Sequence, residues 1–165
     1  MEGGLGDESR DIYLYDTFSG MSAPNEKDVS LEGHMATEEF SRRKRTEDSS
    51  DWCASSLQEV RANVLSTGYR EEKITFVEGK VEATIPKIIP DKIALLRLDT
   101  DWYESTKHEL VHLFPLVQPN GVVIIDDYGH WQGARDAVDE YFAENRVCFL
   151  LNRIDYSGRV GIKSQ

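Results

Sequence analysis

The sequence predicts an α/β fold in which a parallel sheet is built from strands that alternate with helices. Four short apolar runs have the length and the β-branched or aromatic content of buried strands. Helical spacing of apolar residues separates them, which is the rhythm of βαβ units. The runs are continuously apolar rather than alternating, as expected for strands covered on both faces. They begin at Ile12, Ile74, Ile93 and Val122.

Helices and turns are expected between these strands. The apolar spacing after residue 56 predicts a helix that begins at Ser50 or Asp51, buries one face and stops before Gly68. The remaining predicted elements are helices over 101–113 and 133–144, a turn at 119–121, and strands over 147–151 and 160–162.

Length and charge restrict the class of protein. The 165 residues suit one domain, and a net charge of −11 argues against a nucleic-acid partner. No apolar run approaches the roughly 20 residues of a membrane span, and the opening residues have no signal-peptide pattern. We therefore expect a single soluble, cytoplasmic domain over 1–165. Within it, the polar stretch 22–51 predicts a loosely held insertion.

An acidic residue follows every one of the four strands. One such residue is often only the cap of the next helix, but four place several carboxylates along one edge of the sheet. Side by side and uncompensated they would repel each other, so we expect them to hold cations or hydroxyl donors. The four positions are Asp16, Glu78, Asp99, and the pair Asp126 and Asp127.

The last two strands of the series carry three of these carboxylates. Asp99, Asp126 and Asp127 are expected to converge, because their strands are expected to be neighbours. Three carboxylates form an oxygen-only site that suits Mg²⁺ or Ca²⁺. The sequence therefore predicts a divalent metal site here.

The other two strand ends suit a nucleotide-like ligand. Asp16 lies between a strand and a turn that contains Gly20, where a carboxylate can accept hydrogen bonds from ribose hydroxyls. Glu78 and Gly79, at the next strand end, are placed to face a base.

Two residues near the predicted metal site have two open interpretations each. Asp101 is either the cap of the following helix or a catalytic base aimed at a metal-bound hydroxyl. Trp131 is either a packing residue, like Trp52 and Trp102, or part of a substrate pocket.

Several motifs together resemble the macrocin O-methyltransferase family, which are class I methyltransferases acting on hydroxyls of natural products. The segment Tyr15–Met21 resembles the family's ribose-binding segment, and Leu57–Pro86 resembles its following helix, strand and Thr-Xaa-Pro ending. Leu96–Thr106 and Val123–Gly129 resemble its two most distinctive motifs. The similarity covers nearly the whole chain outside residues 25–50.

The resemblance implies a Rossmann-like class I methyltransferase sheet and an S-adenosyl-L-methionine-dependent, Mg²⁺-assisted O-methyltransferase of natural-product biosynthesis. The acceptor is then a hydroxyl of a sugar or other small molecule, and residues 22–51 are part of a lid. Whether the chain forms a homo-oligomer is left open. The implied site residues are Asp99, Asp126 and Asp127 for the metal, Asp99 or Asp101 for the base, and Asp16, Thr17, Phe18, Glu78, Gly79 and Asp99 for the cofactor.

The chain departs from the family pattern at its beginning. The family's first strand and Gly-rich loop are expected before Asp16, but the opening Met1–Gly6 is glycine-rich without following a strand. We therefore expect an N-terminally truncated domain that lacks this strand. Its sheet either splits in two or closes by pairing the Asp16 strand with the Asp99 strand.

Two other functions are weighed against the methyltransferase. A haloacid-dehalogenase-like phosphatase has an acid pair like Asp99 and Asp101 and metal acids like Asp126 and Asp127. That fold also needs a catalytic Lys and a much longer intervening segment. A catalytically inactive methyltransferase-like remnant is the second alternative.

Overall fold

The structure, a computed structural model, describes residues 7–164. The glycine-rich opening Met1–Gly6 lies outside the described residues. The strands are β1 (Ile12–Asp16), β2 (Ile74–Glu78), β3 (Ile93–Leu98), β4 (Val117–Ile125), β5 (Asn152–Arg153) and β6 (Arg159–Ile162). The α-helices are α1 (Ala36–Arg43), α2 (Leu57–Leu65), α3 (Val81–Thr84), α4 (Tyr103–Leu113) and α5 (Gln132–Glu144).

The strands form two separate sheets. β1 and β2 pair in parallel, from Ile12 opposite Ile74 to Asp16 opposite Glu78. The main sheet has the order β3-β4-β6-β5, with β3 and β4 parallel and the other two pairs antiparallel. Among the described residues no strand joins β1 to β3, so the sheet splits, as one of the two expected arrangements has it.

The core lies on the main sheet. Leu98 and Ile125 at the ends of β3 and β4 are buried together with Leu110 of α4 and Val138 of α5. Each such side chain contributes roughly 1.5–3 kcal/mol by leaving water. This core fixes the two strand ends that carry the acidic residues.

Helix α2 differs from its prediction in both its start and its burial. It begins after Ser56, whose hydroxyl accepts from the Glu59 amide while the Glu59 carboxylate accepts from the Ser56 amide. This reciprocal capping box ends the preceding loop, so neither Ser50 nor Asp51 starts the helix. Its apolar residues are only half-buried, and none is fully buried.

Two predicted boundaries near the end of the chain are also wrong. Residues 119–121 lie inside β4, where Asn120 has a φ of 67° and the pairing with β3 shifts register. Residues 147–151 are not a strand, and Phe149 packs on Phe114 and Phe142 there.

The polar insertion 22–51 is packed rather than loosely held. It contains α1 and places Asp28, Ala36, Phe40 and Ser50 in buried positions. Its end returns to the β1 loop, where a Cβ on Gly20 would lie 2.1 Å from the Ser50 carbonyl oxygen. Only glycine permits this approach.

No helix in the range 7–164 has both the length and the apolar character needed to cross a membrane.

Candidate active site and metal centre

The ends of β3 and β4 bring their acidic residues together. The two strands are parallel neighbours, and the Asp126 amide continues their ladder by donating to the Leu98 carbonyl at 2.9 Å. Asp99, Asp101 and Asp127 each offer a carboxylate oxygen, and these oxygens all lie within 4.8 Å of one another. Two members of the predicted set, Asp99 and Asp127, are therefore grouped with Asp101, and Asp126 is not part of this group.

Asp126 has a different environment from the other three. Its carboxylate pairs with Arg97, whose Nη2 lies 3.1 Å from Asp126 Oδ1 and 2.9 Å from Asp99 Oδ2. The guanidinium thus neutralises one side of the cluster. The predicted metal ligand set Asp99, Asp126 and Asp127 stays a prediction, and the structure places Arg97 between two of its members.

Asp101 does not act as the cap of α4. Trp102 is the residue that precedes the helix, no side chain of the 101–102 turn caps it, and Asp101 has a φ of 65°. This left-handed backbone conformation is uncommon for a residue with a side chain, although Asp tolerates it better than most. It turns the Asp101 carboxyl into the acidic cluster.

Three hydrogen bonds around Thr100 hold the strained turn. The Trp102 amide donates to the Thr100 carbonyl at 2.7 Å, and the Ser105 hydroxyl lies 3.2 Å from the same oxygen. The Thr100 hydroxyl donates to Glu109 Oε2 at 2.9 Å. Both Ser105 and Glu109 are buried, so α4 fixes the turn from below.

The protonation of the cluster reflects its loss of water. Desolvation, followed by the negative charge of Asp101, raises the pKa of Asp127 to about 9. Desolvation, followed by a hydrogen bond that the protonated Asp99 carboxyl donates to Asp126, raises the pKa of Asp99 to about 7. The pKa of Asp101 is also raised, mainly by desolvation, although hydrogen bonds from Asp127 and the Trp131 side chain oppose the change.

These carboxylates fit a hard divalent cation. Their donor atoms are all oxygens, and Asp127 Oδ2 is buried without a hydrogen-bond partner in the described part of the chain. A buried acceptor with no partner is costly, and a cation would satisfy it.

The end of the β1–β2 sheet is more open. Asp16 and Glu78 face each other in register and both are exposed. Asp16 Oδ1 accepts from the Phe18 amide at 2.7 Å, and the Gly79 amide donates to the Asp16 carbonyl at 2.9 Å. The hydroxyl of Thr17 donates to the Gly20 carbonyl at 2.7 Å.

Phe18 occupies a different position from these exposed acids. Its ring is only 7% exposed, and it lies 6.5 Å from the Phe76 ring, measured between centroids. The Asp16 and Glu78 carboxylates are therefore the groups that this strand end presents. The cofactor roles of Asp16, Thr17, Phe18, Glu78, Gly79 and Asp99 stay predictions.

The three tryptophans form one cluster beside the acids. The rings of Trp102 and Trp131 lie 5.2 Å apart, and Trp52 lies edge-on to both. Trp102 and Trp131 are buried, in agreement with their interpretation as packing residues. The Trp131 side chain also opposes the rise in the pKa of Asp101.

Sequence reasoning missed two buried acids that support this site. Glu109 lies on the buried face of α4, and the signal for it was an acid among apolar residues in a helix. Asp28 lies in the insertion, and its partner on α4, Tyr103, is 75 residues away, so no local pattern identifies its place beside the site.

The comparisons with known proteins identify the family of this chain and agree with its fold. The macrocin-O-methyltransferase (TylF) family matches residues 3–160. The 8-demethyl-8-(2,3-dimethoxy-alpha-L-rhamnosyl)-tetracenomycin-C 4'-O-methyltransferase of Streptomyces olivaceus is 33% identical over 153 residues, covering 93% of this chain and 55% of that protein. The demethyldecarbamoylnovobiocin O-methyltransferase of Streptomyces niveus is 34% identical over 149 residues, with coverage of 90% and 53%.

Solved structures with a similar fold are also methyltransferases. The O-methyltransferase NovP matches with a TM-score of 0.79 at 31% identity, covering 95% of this chain and 61% of NovP. The calicheamicin methyltransferase CalS11 matches with a TM-score of 0.67 at 20% identity, which supports the fold alone. The match to methyltransferases removes the phosphatase alternative.

The chain spans about half the length of the curated relatives it matches. Its motifs, its fold and the match over residues 3–160 nevertheless agree. The chain belongs to the macrocin O-methyltransferase family.

Proposed function

We propose that this chain carries the acceptor-activating and cofactor-binding residues of an S-adenosyl-L-methionine-dependent O-methyltransferase, with a divalent cation, Mg²⁺, at the acidic cluster. The single observation that carries the proposal is the group of three carboxylates around the unpartnered Asp127 Oδ2. Folding has removed water from these acids without supplying enough positive charge. A cation is the simplest compensation.

Asp99, Asp126 and Asp127 are the proposed ligands, with Asp101 adjacent. A divalent cation bound there would supply positive charge that lowers the pKa of an acceptor hydroxyl. The Arg97 guanidinium neutralises part of the cluster through its ion pairs with Asp99 and Asp126. For Asp126 to contribute an oxygen, its ion pair with Arg97 must loosen.

Asp101 is the proposed proton acceptor, and Asp99 is the alternative. Burial raises the pKa of both carboxyls, which brings them closer to the range useful for a general base at neutral pH. The left-handed backbone conformation of Asp101 turns its carboxyl toward the cluster. The strained turn that Thr100, Ser105 and Glu109 hold keeps it facing the cluster.

The open strand ends are the proposed cofactor contacts. Asp16 and Glu78 are adjacent and exposed, so their carboxylates are accessible to the hydroxyl and amino donors of a nucleoside. S-adenosyl-L-methionine supplies the methyl group, and Thr17, Phe18, Gly79 and Asp99 complete the proposed cofactor set.

A hydroxyl of a sugar attached to a natural product is the proposed acceptor class. The names of three relatives support it: the rhamnosyl-tetracenomycin and novobiocin enzymes, and the mycinamicin III 3''-O-methyltransferase of Micromonospora griseorubida. The packed insertion 22–51 is the proposed lid over this acceptor.

The test is calorimetric titration of S-adenosylhomocysteine into the purified chain, with and without Mg²⁺, followed by methyl transfer from S-adenosyl-L-methionine to a panel of glycosides. We expect micromolar binding and transfer that EDTA abolishes. An Asp16→Asn variant should weaken cofactor binding, while an exposed control, Asp91→Asn, should not.

A catalytically inactive remnant is the second candidate. The separation of the β1–β2 pair from the main sheet favours it, since cofactor and metal contacts then stand on different sheets. A folded chain that binds Mg²⁺ but neither binds S-adenosylhomocysteine nor transfers methyl groups would establish this candidate instead.

A further inference from the structure

A buried acid in the polar insertion touches the helix that follows the acidic cluster. Asp28 is only 1% exposed, although it is an acid in a polar segment. Its Oδ1 accepts from the Tyr103 amide at 2.8 Å, and its Oδ2 accepts from the Asn25 amide at 2.8 Å. Asp28 thus caps the start of α4, although it lies 75 residues from Tyr103 along the chain. Tyr103 is two residues after Asp101.

The residues next to Asp28 touch the other acid-bearing loop. The Gln132 amide donates to the Val29 carbonyl at 2.8 Å, and the Leu31 amide donates to the His130 carbonyl at 2.9 Å. Ser30 forms an antiparallel bridge with Trp131 between these bonds. This short pairing lies just after Asp127, and it holds Trp131, whose ring packs on Trp102, the residue after Asp101.

The start of α5 is shaped to admit Asp28. A Cβ on Gly133 would lie 2.4 Å from Asp28 Oδ1 and 3.2 Å from the Lys27 carbonyl oxygen. Any larger residue at this position would displace the carboxylate. Residues 28–31 therefore contact the loop after β3 and the loop after β4 at the same time.

We infer that residues 28–31 form a bridge that sets the spacing between Asp101 and Asp127, with Asp28 as its positioning residue. The insertion then helps to position the acids of the cluster, in addition to its proposed role as a lid. The inference rests on the proposed function in that the cluster is taken to bind a divalent cation. The contacts themselves are independent of any cation.

The bridge opposes separation of the acids in the cluster. The Asp101 turn is in an unfavourable backbone conformation, and the three carboxyl groups repel one another where they are ionised, so the cluster tends to open. Hydrogen bonds to backbone amides on both sides oppose this opening. Asp28 is the one bridge residue whose side chain supplies such a bond to α4.

The test compares Asp28→Ala with Glu26→Ala, an exposed acid two residues earlier that gives the same change of charge. Calorimetry with Mn²⁺ as the probe measures the affinity of the cluster. We expect Asp28→Ala to weaken Mn²⁺ binding by about 10- to 100-fold, as loss of an orienting partner typically does. Glu26→Ala should stay within about twofold of the unmodified chain, as for other surface changes.

A second readout is independent of the metal. The near-ultraviolet circular dichroism of the Trp102–Trp131 pair reports on the junction that the bridge holds, and far-ultraviolet dichroism reports on overall folding. Asp28→Ala should lower the first signal and leave the second unchanged. If the unmodified chain does not bind Mn²⁺, the proposed function fails, and this signal alone decides the inference.

Gly133→Ala provides a second variant if Asp28→Ala does not fold. Alanine suits a helix, so the change leaves α5 intact while its Cβ displaces the Asp28 carboxylate. We expect the same loss of Mn²⁺ affinity and of the tryptophan signal. Unchanged Mn²⁺ affinity together with an unchanged tryptophan signal in a folded variant would overturn the inference.

Discussion

The β1–β2 pair and the main sheet both end in carboxylates, but these carboxylates differ in their exposure to water. Asp16 and Glu78 are exposed to water on the pair. On the main sheet, Asp99, Asp101 and Asp127 crowd together, and desolvation raises the pKa of each, most completely at the half-buried Asp101 and Asp127, whereas Asp99 stays partly in water. Exposed acids cost the fold little, whereas desolvated and crowded acids need a counter-charge. An acid at a strand end is therefore informative chiefly where folding also removes its water.

The two regions differ in packing as well. The main sheet is covered by α4 and α5, and its core includes fully buried side chains on both helices. The α2 helix near the β1–β2 pair buries none of its residues completely. Its Arg61 guanidinium lies 5.6 Å from the centre of the Phe76 ring of β2. The metal-site half is thus rigidly supported, and the cofactor half rests on weaker, exposed contacts.

The largest expected effect comes from deleting core volume under the acidic cluster. Leu110 on α4 is 0% exposed, so we expect Leu110→Ala to lower the free energy of unfolding by about 3–4 kcal/mol. The matched change Leu65→Ala in the half-buried α2 should cost roughly 1 kcal/mol. Urea unfolding measures both values. Equal losses at the two positions would contradict the difference in packing.

A pH-dependent effect is expected at the buried Glu109. Burial raises the pKa of its carboxyl to about 8 from an ordinary value of 4.5. Between these values the folded state keeps a proton that the unfolded chain has released, so stability falls as the pH rises through this window. At pH 9 without metal, Glu109→Gln should be more stable than the unmodified chain by on the order of a few kcal/mol.

The control for this prediction is Glu104→Gln on the exposed side of the same helix. Urea unfolding in EDTA at pH 5 and pH 9 gives the comparison. The stabilisation by Glu109→Gln should grow with pH, and Glu104→Gln should show no such growth. A Glu109→Gln variant whose stability relative to the unmodified chain is the same at both pH values would show that Glu109 is charged throughout.

The smallest expected effect is local to the cofactor half. Ser56→Ala removes the reciprocal capping of α2, which we expect to cost about 1 kcal/mol. The neighbouring Ser55→Ala should cost much less. Hydrogen exchange should show faster opening of residues 57–65 in the first variant only. A change in Mn²⁺ affinity in Ser56→Ala would mean that the two halves are coupled more strongly than their contacts indicate.

The strand ends were the part of the site that sequence could predict. Strands leave a clear apolar signal, and the acids that follow Leu98 and Ile125 are placed by the strands themselves. Parallel pairing of β3 and β4 then brings Asp99 and Asp127 together. Local pattern and tertiary position agree for these two residues, and their role as metal ligands stays a prediction.

Other features depend on partners that lie far away in sequence. The charged segment 22–51 looked loosely held, but Asp28 finds its partner amide on Tyr103. Asn120 interrupts an apolar run, yet β4 continues through it because the neighbouring strand accepts a shifted register. The Ser56 cap is a local signal, because Ser56 and Glu59 have the spacing of a capping box. The prediction that α2 begins at Ser50 or Asp51 overlooks it.

The most direct test of the central claim is a Mn²⁺ titration of the unmodified chain, Asp127→Asn and Asp16→Asn, followed by calorimetry. The acidic cluster should bind one Mn²⁺, and Asp127→Asn should weaken binding by at least about 10- to 100-fold. Asp16→Asn, on the other sheet, should bind Mn²⁺ like the unmodified chain. Absence of saturable binding, or equal affinity in Asp127→Asn, would contradict the assignment of a cation to this cluster.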